Sequence, residues 1–423
     1  MMKTASDLMR TLKSEEGMKR LGQLYGCQNG KVAQQLERYM LLLKRHQDLF
    51  GREEAPMVIS APGRTELCGN HTDHNNGLVM AAAVNLDTVA AVNRRNDMLV
   101  NLNSEGFPPV HIDLSDLTMV PEEQGKPASI IRGIANRLHE MGLVIGGFDA
   151  SATSNVLSGS GLSSSAAFEV LIVAIFDVLY NGMQVDAIKR AEISQYAENV
   201  YFGKPSGLMD QMASSVGGLV AIDFKDQPQV TPMQMDLSGY SLVVVNTGGA
   251  HDDLTEDYAA VRREMHAVAR CFGEEVLRRV RPEQLWGDMA RVRAEAGDRA
   301  VLRAYHYFNE NDRVRELIKA VKANDVESFK RILIESGRSS WMYLQNLYAN
   351  PAHQQLGVAL SMAEYLLHGC GAWRVHGGGF AGTTLNLVPQ EQEERFVSHM
   401  NAVFGDHACH VLNIRKEGAA IVF

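Results

Sequence analysis

The spacing of apolar residues divides the chain into an amino-terminal extension and a main body. In the extension, apolar residues recur every three or four positions at Val32, Leu36, Met40 and Leu43. This spacing, with a break at residues 28–30, predicts two amphipathic helices. From Met57 the pattern becomes a short apolar run that reaches Ala61-Pro62-Gly63, which predicts a strand followed by a turn. We therefore expect a helical extension over residues 1–50.

Beyond residue 57, strand-like and helix-like segments follow one another irregularly. Strands are predicted at 88–92, 219–224, 241–245, 383–388 and 419–423, and helices at 166–179, 186–201 and through most of 257–350. A regular βαβ repeat would indicate a parallel sheet, whereas this mixture predicts an α+β fold. We place a domain boundary near residue 235, which divides the main body into residues 51–235 and 236–423.

The composition argues against several classes of protein. A net charge of −9 over 423 residues disfavours a nucleic-acid groove or an anionic membrane surface as partner. The five cysteines are scattered without a CxxC pair, so neither a disulfide framework nor a zinc site is indicated. No run approaches about 18 consecutive apolar residues. We expect a cytoplasmic protein without nucleic-acid or membrane partners.

The strongest local signal is a glycine- and serine-rich run from Ser158 to Ala167 that leads directly into an apolar helix. Small residues allow backbone amides to approach an anion, hydroxyls add donors, and a helix start adds the positive end of its dipole. This pattern is typical of a phosphate-binding turn, although a serine-capped helix after a loop has the same appearance. The run lacks the lysine of a Walker loop and the spacing of a Rossmann fingerprint.

Three segments together carry a family resemblance. Gly161-Leu162-Ser163-Ser164-Ser165-Ala166 resembles the phosphate loop of GHMP kinases, residues 61–77 resemble the galactokinase signature, and residues 375–383 resemble the family's carboxy-terminal glycine loop. Residues 207–211, 246–258 and 303–314 are also similar to galactokinase segments. The chain thus resembles the galactokinase branch of the GHMP kinase family from about residue 60 to 385.

The resemblance implies a fold and a reaction. The fold is the two-lobed α+β GHMP arrangement, with a ribosomal-protein-S5-like amino-terminal lobe and a ferredoxin-like carboxy-terminal lobe, here preceded by the helical extension. The reaction is transfer of the ATP γ-phosphate to the anomeric 1-hydroxyl of galactose or a close relative. The implied partners are the sugar, ATP and Mg²⁺, in a monomer or weak homo-oligomer.

The resemblance also assigns roles to residues. Asp210 matches the catalytic base, and Arg64 matches the cationic partner that stabilises the carboxylate and the charge near the transferred phosphoryl group. The matching magnesium ligands are Ser165 and Glu198, and Glu198 lies twelve residues before Asp210. Glu169 receives no role. The sugar contacts correspond to Asn70, His71, Asp73, Gly207 and Tyr258. The ATP contacts correspond to Gly159, Ser160, Gly161, Leu162, Ser163, Ser164, Ser165, Ala166, Gly378 and Gly379.

The chain departs from the galactokinase pattern beside the sugar motif. Galactokinases carry a glutamate where this chain has Asn70 and a tyrosine where it has His74, and residues 65–68 read Thr-Glu-Leu-Cys in place of Val-Asn-Leu-Ile. The resemblance places that glutamate at the 6-hydroxyl of galactose. One hypothesis is therefore a substrate altered at carbon 6, such as galacturonic acid, and the other is a neutral sugar that Asn70 still binds.

A third hypothesis is a non-catalytic sensor that binds ATP and sugar, as some galactokinase-like proteins do. Such a sensor would tolerate loss of the base or of the phosphate-loop serines. This chain retains Arg64, Asp210, Glu198 and the intact run at 163–166, which favours an enzyme.

Overall fold

The amino-terminal extension forms three helices. The computed structural model describes residues 4–26, 30–156, 161–248, 254–380 and 382–423. The helices are α1 (Ala5–Leu12), α2 (Glu15–Tyr25) and α3 (Gly30–Phe50). The prediction of two helices was wrong because the Ser14 side chain accepts a hydrogen bond from the Gly17 amide and starts a separate helix there.

Two sheets form the main body. The strands are β1 (Met57–Cys68), β2 (Leu78–Arg94), β3 (Leu99–Ser104), β4 (Val110–Asp113), β5 (Phe148–Ser154), β6 (Leu219–Asp223), β7 (Gln229–Met233), β8 (Tyr240–Asn246), β9 (Ala372–His376), β10 (Thr383–Pro389), β11 (Cys409–Leu412) and β12 (Ala420–Ile421). The first sheet has the order β12-β1-β2-β5-β3-β4, and β6 pairs with both β2 and β7. The second has the order β11-β8-β10-β9. Within the described chain, the β3–β5 pair alone is parallel.

Helices pack on both sheets. They are α4 (Pro127–Glu140), α5 (Ser164–Phe176), α6 (Ala187–Tyr196), α7 (Met209–Val216), α8 (Thr255–Arg270), α9 (Pro282–Gly287), α10 (Met289–Ala296), α11 (Asp298–Lys322), α12 (Val326–Ser339), α13 (Gln355–Leu367) and α14 (Glu393–Phe404). Helices α5, α6 and α12 each continue into a π-helical turn, at Asp177–Asn181, Ala197–Phe202 and Ser340–Leu344. Mostly antiparallel sheets combined with these helices confirm the predicted α+β fold class.

The first sheet is covered on both faces. Successive residues of a strand point to opposite faces, and neighbouring positions of β1 and β2 indeed belong to different cores. Ile59 and Ala90 pack with α4 and α5, whereas Val58 and Val89 pack with the leucines of α1, α2 and α3. The amino-terminal extension therefore covers a sheet face that would otherwise expose apolar side chains to water.

Strand β1 is longer than its pattern indicates. The predicted turn at Ala61-Pro62-Gly63 was wrong, because the strand continues to Cys68 with a register irregularity between Pro62 and Arg64. A Cβ atom on Gly63 would lie 2.8 Å from the Leu162 carbonyl oxygen. The Arg64 amide donates to the same oxygen at 3.0 Å. The bulge thus brings β1 into direct contact with the phosphate-loop segment.

Helix α5 with its π-turn is a core helix. By length and composition, Ser164–Asn181 is the one segment of the described residues that could cross a membrane, but 67% of it is buried inside the protein. It also contains the buried acidic residues Glu169 and Asp177. The segment packs against the first sheet.

The chain passes from the first sheet to the second between β7 and β8. Its end returns to the first sheet, where Ile421 pairs with Ile59. The division near residue 235 stays a prediction.

Candidate active site

All five predicted sugar contacts line one cavity of about 800 Å³. Its lining includes Asn70, His71, Asp73, Gly207, Asp210, Tyr258 and Gly378, together with Glu66, His74, Arg262, Arg263, His266 and Arg270. A separate groove of about 650 Å³ beside α13 is mostly apolar and has no carboxylate in its lining. Because binding sites combine a concave shape with convergent polar and titratable groups, we take the first cavity as the candidate active site.

Asp210 lies where three elements meet. It stands in the first turn of α7, and its Oδ1 accepts a hydrogen bond from Arg64 Nε at 2.7 Å and forms an ion pair with Arg64 Nη2, also at 2.7 Å. Its Oδ2 accepts a hydrogen bond from the Ser163 hydroxyl, and Arg64 Nη1 donates to the Gly161 carbonyl. The Arg64 side chain is 8% exposed and that of Asp210 is 31% exposed. The carboxylate is therefore held from β1 and the phosphate loop but remains accessible from the cavity.

The phosphate-loop segment has a backbone suited to an anion. Gly161 has φ +72° and Ser163 has φ +56°, both left-handed, and α5 begins at the next residue. Since the Ser163 hydroxyl bonds to Asp210 and not to the helix, the first amides of α5 remain available to a phosphate oxygen. Leu162 and Ala166 are buried and anchor the segment, whereas Ser165 is exposed. The predicted contacts Gly159 and Ser160 lie outside the described residues.

The carboxy-terminal glycine loop packs directly on the residues that line the cavity. A Cβ atom on Gly378 would lie 2.5 Å from Tyr258 Cε1, and one on Gly379 would lie 2.1 Å from the Asn346 carbonyl oxygen. The Tyr258 hydroxyl donates to the Gly379 carbonyl at 3.0 Å, and His71 Nε2 donates to the Gly378 carbonyl at 3.0 Å. Only glycines allow this close approach between the loop and the cavity.

The Asn70 amide is fully used by the protein. Its Nδ2 donates to Glu66 Oε1 at 3.1 Å and to the Gly377 carbonyl at 2.7 Å. Its Oδ1 accepts from Asn346 Nδ2 at 2.8 Å and from the Ser340 hydroxyl at 3.3 Å. Its predicted role in sugar binding stays a prediction, and the structure shows that both amide hydrogens are already donated to protein acceptors.

Glu66 is a pocket carboxylate to which the sequence analysis gave no role. It lies on β1, is 4% exposed, and its Oε1 also accepts from Nη2 of the fully buried Arg374 at 2.9 Å. Burial raises the pKa of the Glu66 carboxyl, against the opposing effect of Arg374 and Arg64. The signal available from the sequence was its spacing, two residues after Arg64 in a strand.

Helix α11 fixes the loop that carries Asn70 and His71. The buried Glu310 Oε1 accepts from the Gly69 amide at 3.0 Å, and His306 Nε2 donates to the Asn70 carbonyl at 2.9 Å. Burial alone would raise the pKa of Glu310, but Arg313 and His306 hold it far below its ordinary value. Helix α11 therefore supports the backbone of Gly69 and Asn70 from behind the cavity.

His71, Asp73 and Gly207 form one side of the cavity. A Cβ atom on Gly207 would lie 2.1 Å from Asp73 Oδ2, so a larger residue here would displace the Asp73 carboxylate. Burial lowers the pKa of His71 and raises the pKa of Asp73. His74 Nδ1 accepts from Asn75 Nδ2 at 2.8 Å. The described residues contain no group of three or more histidine, cysteine or acidic side chains that could hold a metal ion.

Two buried carboxylates lie behind the phosphate loop. Gln211 Nε2 donates to Glu198 Oε2 at 2.8 Å and to Glu169 Oε2 at 2.9 Å. Burial, together with the neighbouring Glu198, raises the pKa of Glu169 to about 8. Lys204 Nζ donates to Glu198 Oε1 at 3.0 Å. Glu169 was missed, although it lies one helical turn after Ser165 and hence on the same face of α5.

The donor set of this region fits Mg²⁺. Magnesium prefers carboxylate and hydroxyl oxygens and keeps several water ligands. Burial first, and the neighbouring Glu198 second, raises the pKa of Glu169, and a divalent cation beside such a pair of buried acids would be favourable. Ser165 and Glu198 stay the predicted ligands.

Comparison with known proteins gives two family matches, both within residues 44–218. Residues 44–94 match the galactokinase galactose-binding signature, and residues 129–218 match the GHMP kinases N terminal domain. A galactokinase of Actinobacillus pleuropneumoniae serotype 5b (strain L20) is 32% identical over 358 residues, which cover 84% of this chain and 89% of that protein. A galactokinase of Streptomyces coelicolor is 32% identical over 349 residues, covering 82% and 87%.

Solved structures show the same architecture. Lactococcus lactis galactokinase complexed with galactose superposes with a TM-score of 0.78 at 23% identity, covering 91% of this chain and 99% of that one. Methanococcus jannaschii mevalonate kinase superposes with a TM-score of 0.62 at 14% identity, covering 85% and 98%. The fold is thus that of the GHMP kinases, as predicted. Within this class, the sequence relatives show that the chain belongs to the galactokinase family.

Proposed function

We propose that this protein is an ATP-dependent galactokinase that phosphorylates the 1-hydroxyl of galactose or a close relative. The observation that carries the proposal is the cluster of Arg64, Asp210 and Ser163. This cluster joins the sugar-side cavity to the phosphate loop, so an acceptor hydroxyl and a phosphoryl group can meet at one carboxylate. The galactokinase relatives agree with this assignment.

In the proposed reaction Asp210 orients the 1-hydroxyl and accepts its proton. The sugar oxygen then forms a bond to the γ-phosphorus of ATP, the bond from that phosphorus to the bridging β,γ oxygen breaks, and ADP leaves. Arg64 holds Oδ1 of Asp210 through the Nε hydrogen bond and the ion pair with Nη2, which fixes the orientation of the carboxylate. The remaining oxygen, Oδ2, is bonded by a serine hydroxyl that can rotate toward a phosphate oxygen.

On the nucleotide side, the amides at the start of α5 and the loop at Gly378 and Gly379 would surround the phosphates. Phosphoryl transfer depends mainly on positioning and charge stabilisation, and this segment contains no lysine. Ser165 and Glu198 would hold Mg²⁺, which neutralises phosphate charge when it is bound. Glu169 and Gln211 would orient Glu198 from behind.

We further propose a cytoplasmic enzyme that works as a monomer or weak homo-oligomer. The cysteines in the described part of the chain, Cys68, Cys271, Cys370 and Cys409, are all free thiols. Free thiols are compatible with a reducing compartment.

The test is a coupled assay of ADP release with Mg-ATP and a panel of sugars: galactose, its 2-amino relative, arabinose and glucuronic acid. Turnover that is fastest with galactose supports the proposal. Absence of turnover with every sugar, together with sugar-dependent binding of ATP, would instead support the sensor hypothesis.

A further inference from the structure

Asn70 and Glu66 touch each other at the cavity wall, yet they differ in what they can offer a ligand. An amide group has two hydrogens to donate, and Asn70 gives them to Glu66 and to the Gly377 carbonyl. Its oxygen accepts from Asn346 and Ser340. Binding of a sugar hydroxyl by Asn70 would therefore require one of these buried contacts to break.

Glu66 has an oxygen to spare. Both of its protein donors, Asn70 and Arg374, bond to Oε1. In the described part of the chain Oε2 has no hydrogen-bond partner. Glu66 lines the cavity, and its Oε2 does not belong to the buried side-chain atoms that lack a partner. A carboxylate oxygen in such a place gains most from a ligand that donates a hydrogen bond.

The register of β1 places this oxygen relative to the reaction centre. Arg64, Thr65 and Glu66 pair with Ala83, Ala82 and Ala81 without irregularity. Alternation along the strand puts Arg64 and Glu66 on the same face, about 7 Å apart. Thr65 lies on the other face, where its hydroxyl contacts His376 Nε2 at 3.0 Å. Arg64 holds Asp210, and Glu66 and Asp210 both line the same cavity, so one sugar can contact both carboxylates.

Resting on the proposed function, we infer that Glu66 is the residue that selects the sugar. Its Oε2 accepts a hydrogen bond from a neutral hydroxyl at the end of the sugar remote from carbon 1, on carbon 4 or carbon 6. Asn70 is a positioning residue that holds Glu66 from the side, and Arg374 holds it from behind. A carboxylate on the substrate at this end would face a second anion inside a buried cavity. The substrate class is therefore neutral hexoses and excludes uronic acids.

The experiment compares kcat/KM for galactose, 4-deoxygalactose, 6-deoxygalactose and galacturonic acid in the wild type and in Glu66→Gln. Glutamine preserves the size of the side chain and keeps an oxygen for Arg374. We expect the wild type to prefer galactose over one of the deoxy sugars by about 10- to 100-fold, the effect of a hydrogen bond to a charged group. In Glu66→Gln, activity on galactose should fall while activity on that deoxy sugar changes little, so the ratio should approach one.

The matched control is Glu310→Gln. Glu310 is also a buried glutamate paired with an arginine, at 2.7 Å from Arg313, but it does not line the cavity. Its replacement should lower activity on all sugars by the same factor and leave the ratio between galactose and the deoxy sugar unchanged. A purely structural role for Glu66 would give the same result in both variants.

The outcomes separate this inference from the proposed function. Equal losses on every sugar in Glu66→Gln overturn the role of Glu66. Wild-type turnover of galacturonic acid as fast as that of galactose also overturns it. This comparison uses only the wild type, so it does not depend on whether a variant folds. Absence of turnover of any sugar by the wild type would contradict the proposed function itself.

Discussion

Two arginine–aspartate pairs in this protein have the same chemistry but different surroundings. Arg64 and Asp210 approach to 2.7 Å at the cavity, where the aspartate side chain is 31% exposed. Arg415 and Asp87 approach to 2.9 Å in the interior, where both side chains are 0% exposed. The first pair leaves one side of the carboxylate open to a ligand, whereas the second is closed on all sides.

Protein donors fill the surroundings of Asp87. Its oxygens also accept from Arg38 Nη1 at 2.7 Å and from the Tyr25 hydroxyl at 2.7 Å. Burial alone would raise the pKa of Asp87, but Arg38 and Arg415 hold it below its ordinary value. The cluster ties helices α2 and α3 and the chain end to strand β2. A carboxylate whose oxygens are all bonded inside the protein serves stability, and one that keeps access to a cavity can take part in chemistry.

The largest effect is expected from Asp210→Asn. An amide cannot accept the proton of the sugar hydroxyl, so kcat should fall by about 10²- to 10⁴-fold. Arg64 loses its charged partner but keeps its bond to the Gly161 carbonyl, and Asp210 is partly exposed, so the unfolding free energy should fall by only about 1–2 kcal/mol. ADP release and urea unfolding measure the two quantities. Full activity in this variant would contradict the assignment of Asp210 as the base.

Asp87→Asn should show the opposite behaviour. Removal of the carboxylate leaves Arg38 and Arg415 with uncompensated buried charge, which lowers the unfolding free energy by about 3–5 kcal/mol. The kcat of the protein that remains folded should be close to that of the wild type. The exposed Arg95–Asp97 pair supplies the control, since Asp97→Asn should destabilise far less. A loss of kcat without a loss of stability in Asp87→Asn would contradict this comparison.

The pH dependence of Asp87 has a defined sign. Its pKa in the folded protein is lower than in the unfolded chain, so its contribution to stability is present above the ordinary aspartate pKa and is lost as the pH falls through the folded value. Asp87→Asn should therefore show a weaker loss of stability below about pH 4 than the wild type.

Glu169→Gln should stabilise the protein, in contrast to Asp87→Asn, and by a smaller amount. The pKa of Glu169 is raised from 4.5 to about 8, so between these values the folded protein binds more protons than the unfolded chain. The unfolding free energy therefore decreases as the pH rises through this window. At pH 8 the variant should be more stable than the wild type by at least about 1 kcal/mol, the equivalent of one pKa unit, with a smaller advantage at pH 5. Urea unfolding at both pH values tests this prediction. The same pH dependence of the unfolding free energy in the variant and the wild type would contradict a buried acid pair.

The smallest effect is expected from Tyr25→Phe. The change removes one hydroxyl from the Asp87 cluster and should lower the unfolding free energy by about 1 kcal/mol, because the two arginines still hold the carboxylate. Activity should not change. The control is Tyr365→Phe, at a side chain that is 82% exposed, which should leave stability unaltered. A loss as large as that of Asp87→Asn would mean that Tyr25, and not the arginines, holds the cluster together.

Much of the fold and part of the site could be predicted from local sequence. The apolar spacing predicted the extension and the mixture of strands and helices, and the three glycine-containing motifs indicated the family. These signals are local because a phosphate-binding turn requires glycines and small residues within a few positions. The separate helices α1 and α2 and the course of β1 through Pro62 and Gly63 were missed. Both depend on a single cap or on a neighbouring segment that approaches closely.

The amino-acid sequence by itself determined the family, the reaction class and the chemical groups available at the site. Only the tertiary structure decided which groups face the cavity. It joined Glu169 to Glu198 through Gln211 and used up the amide of Asn70, and among the described residues it left one oxygen of Glu66 without a hydrogen-bond partner. The physical reason is that hydrogen-bond saturation and burial are shared among side chains that are distant in sequence. The type of a residue determines which hydrogen bonds it can form, and its neighbours in space determine which of its donors and acceptors stay available to a ligand.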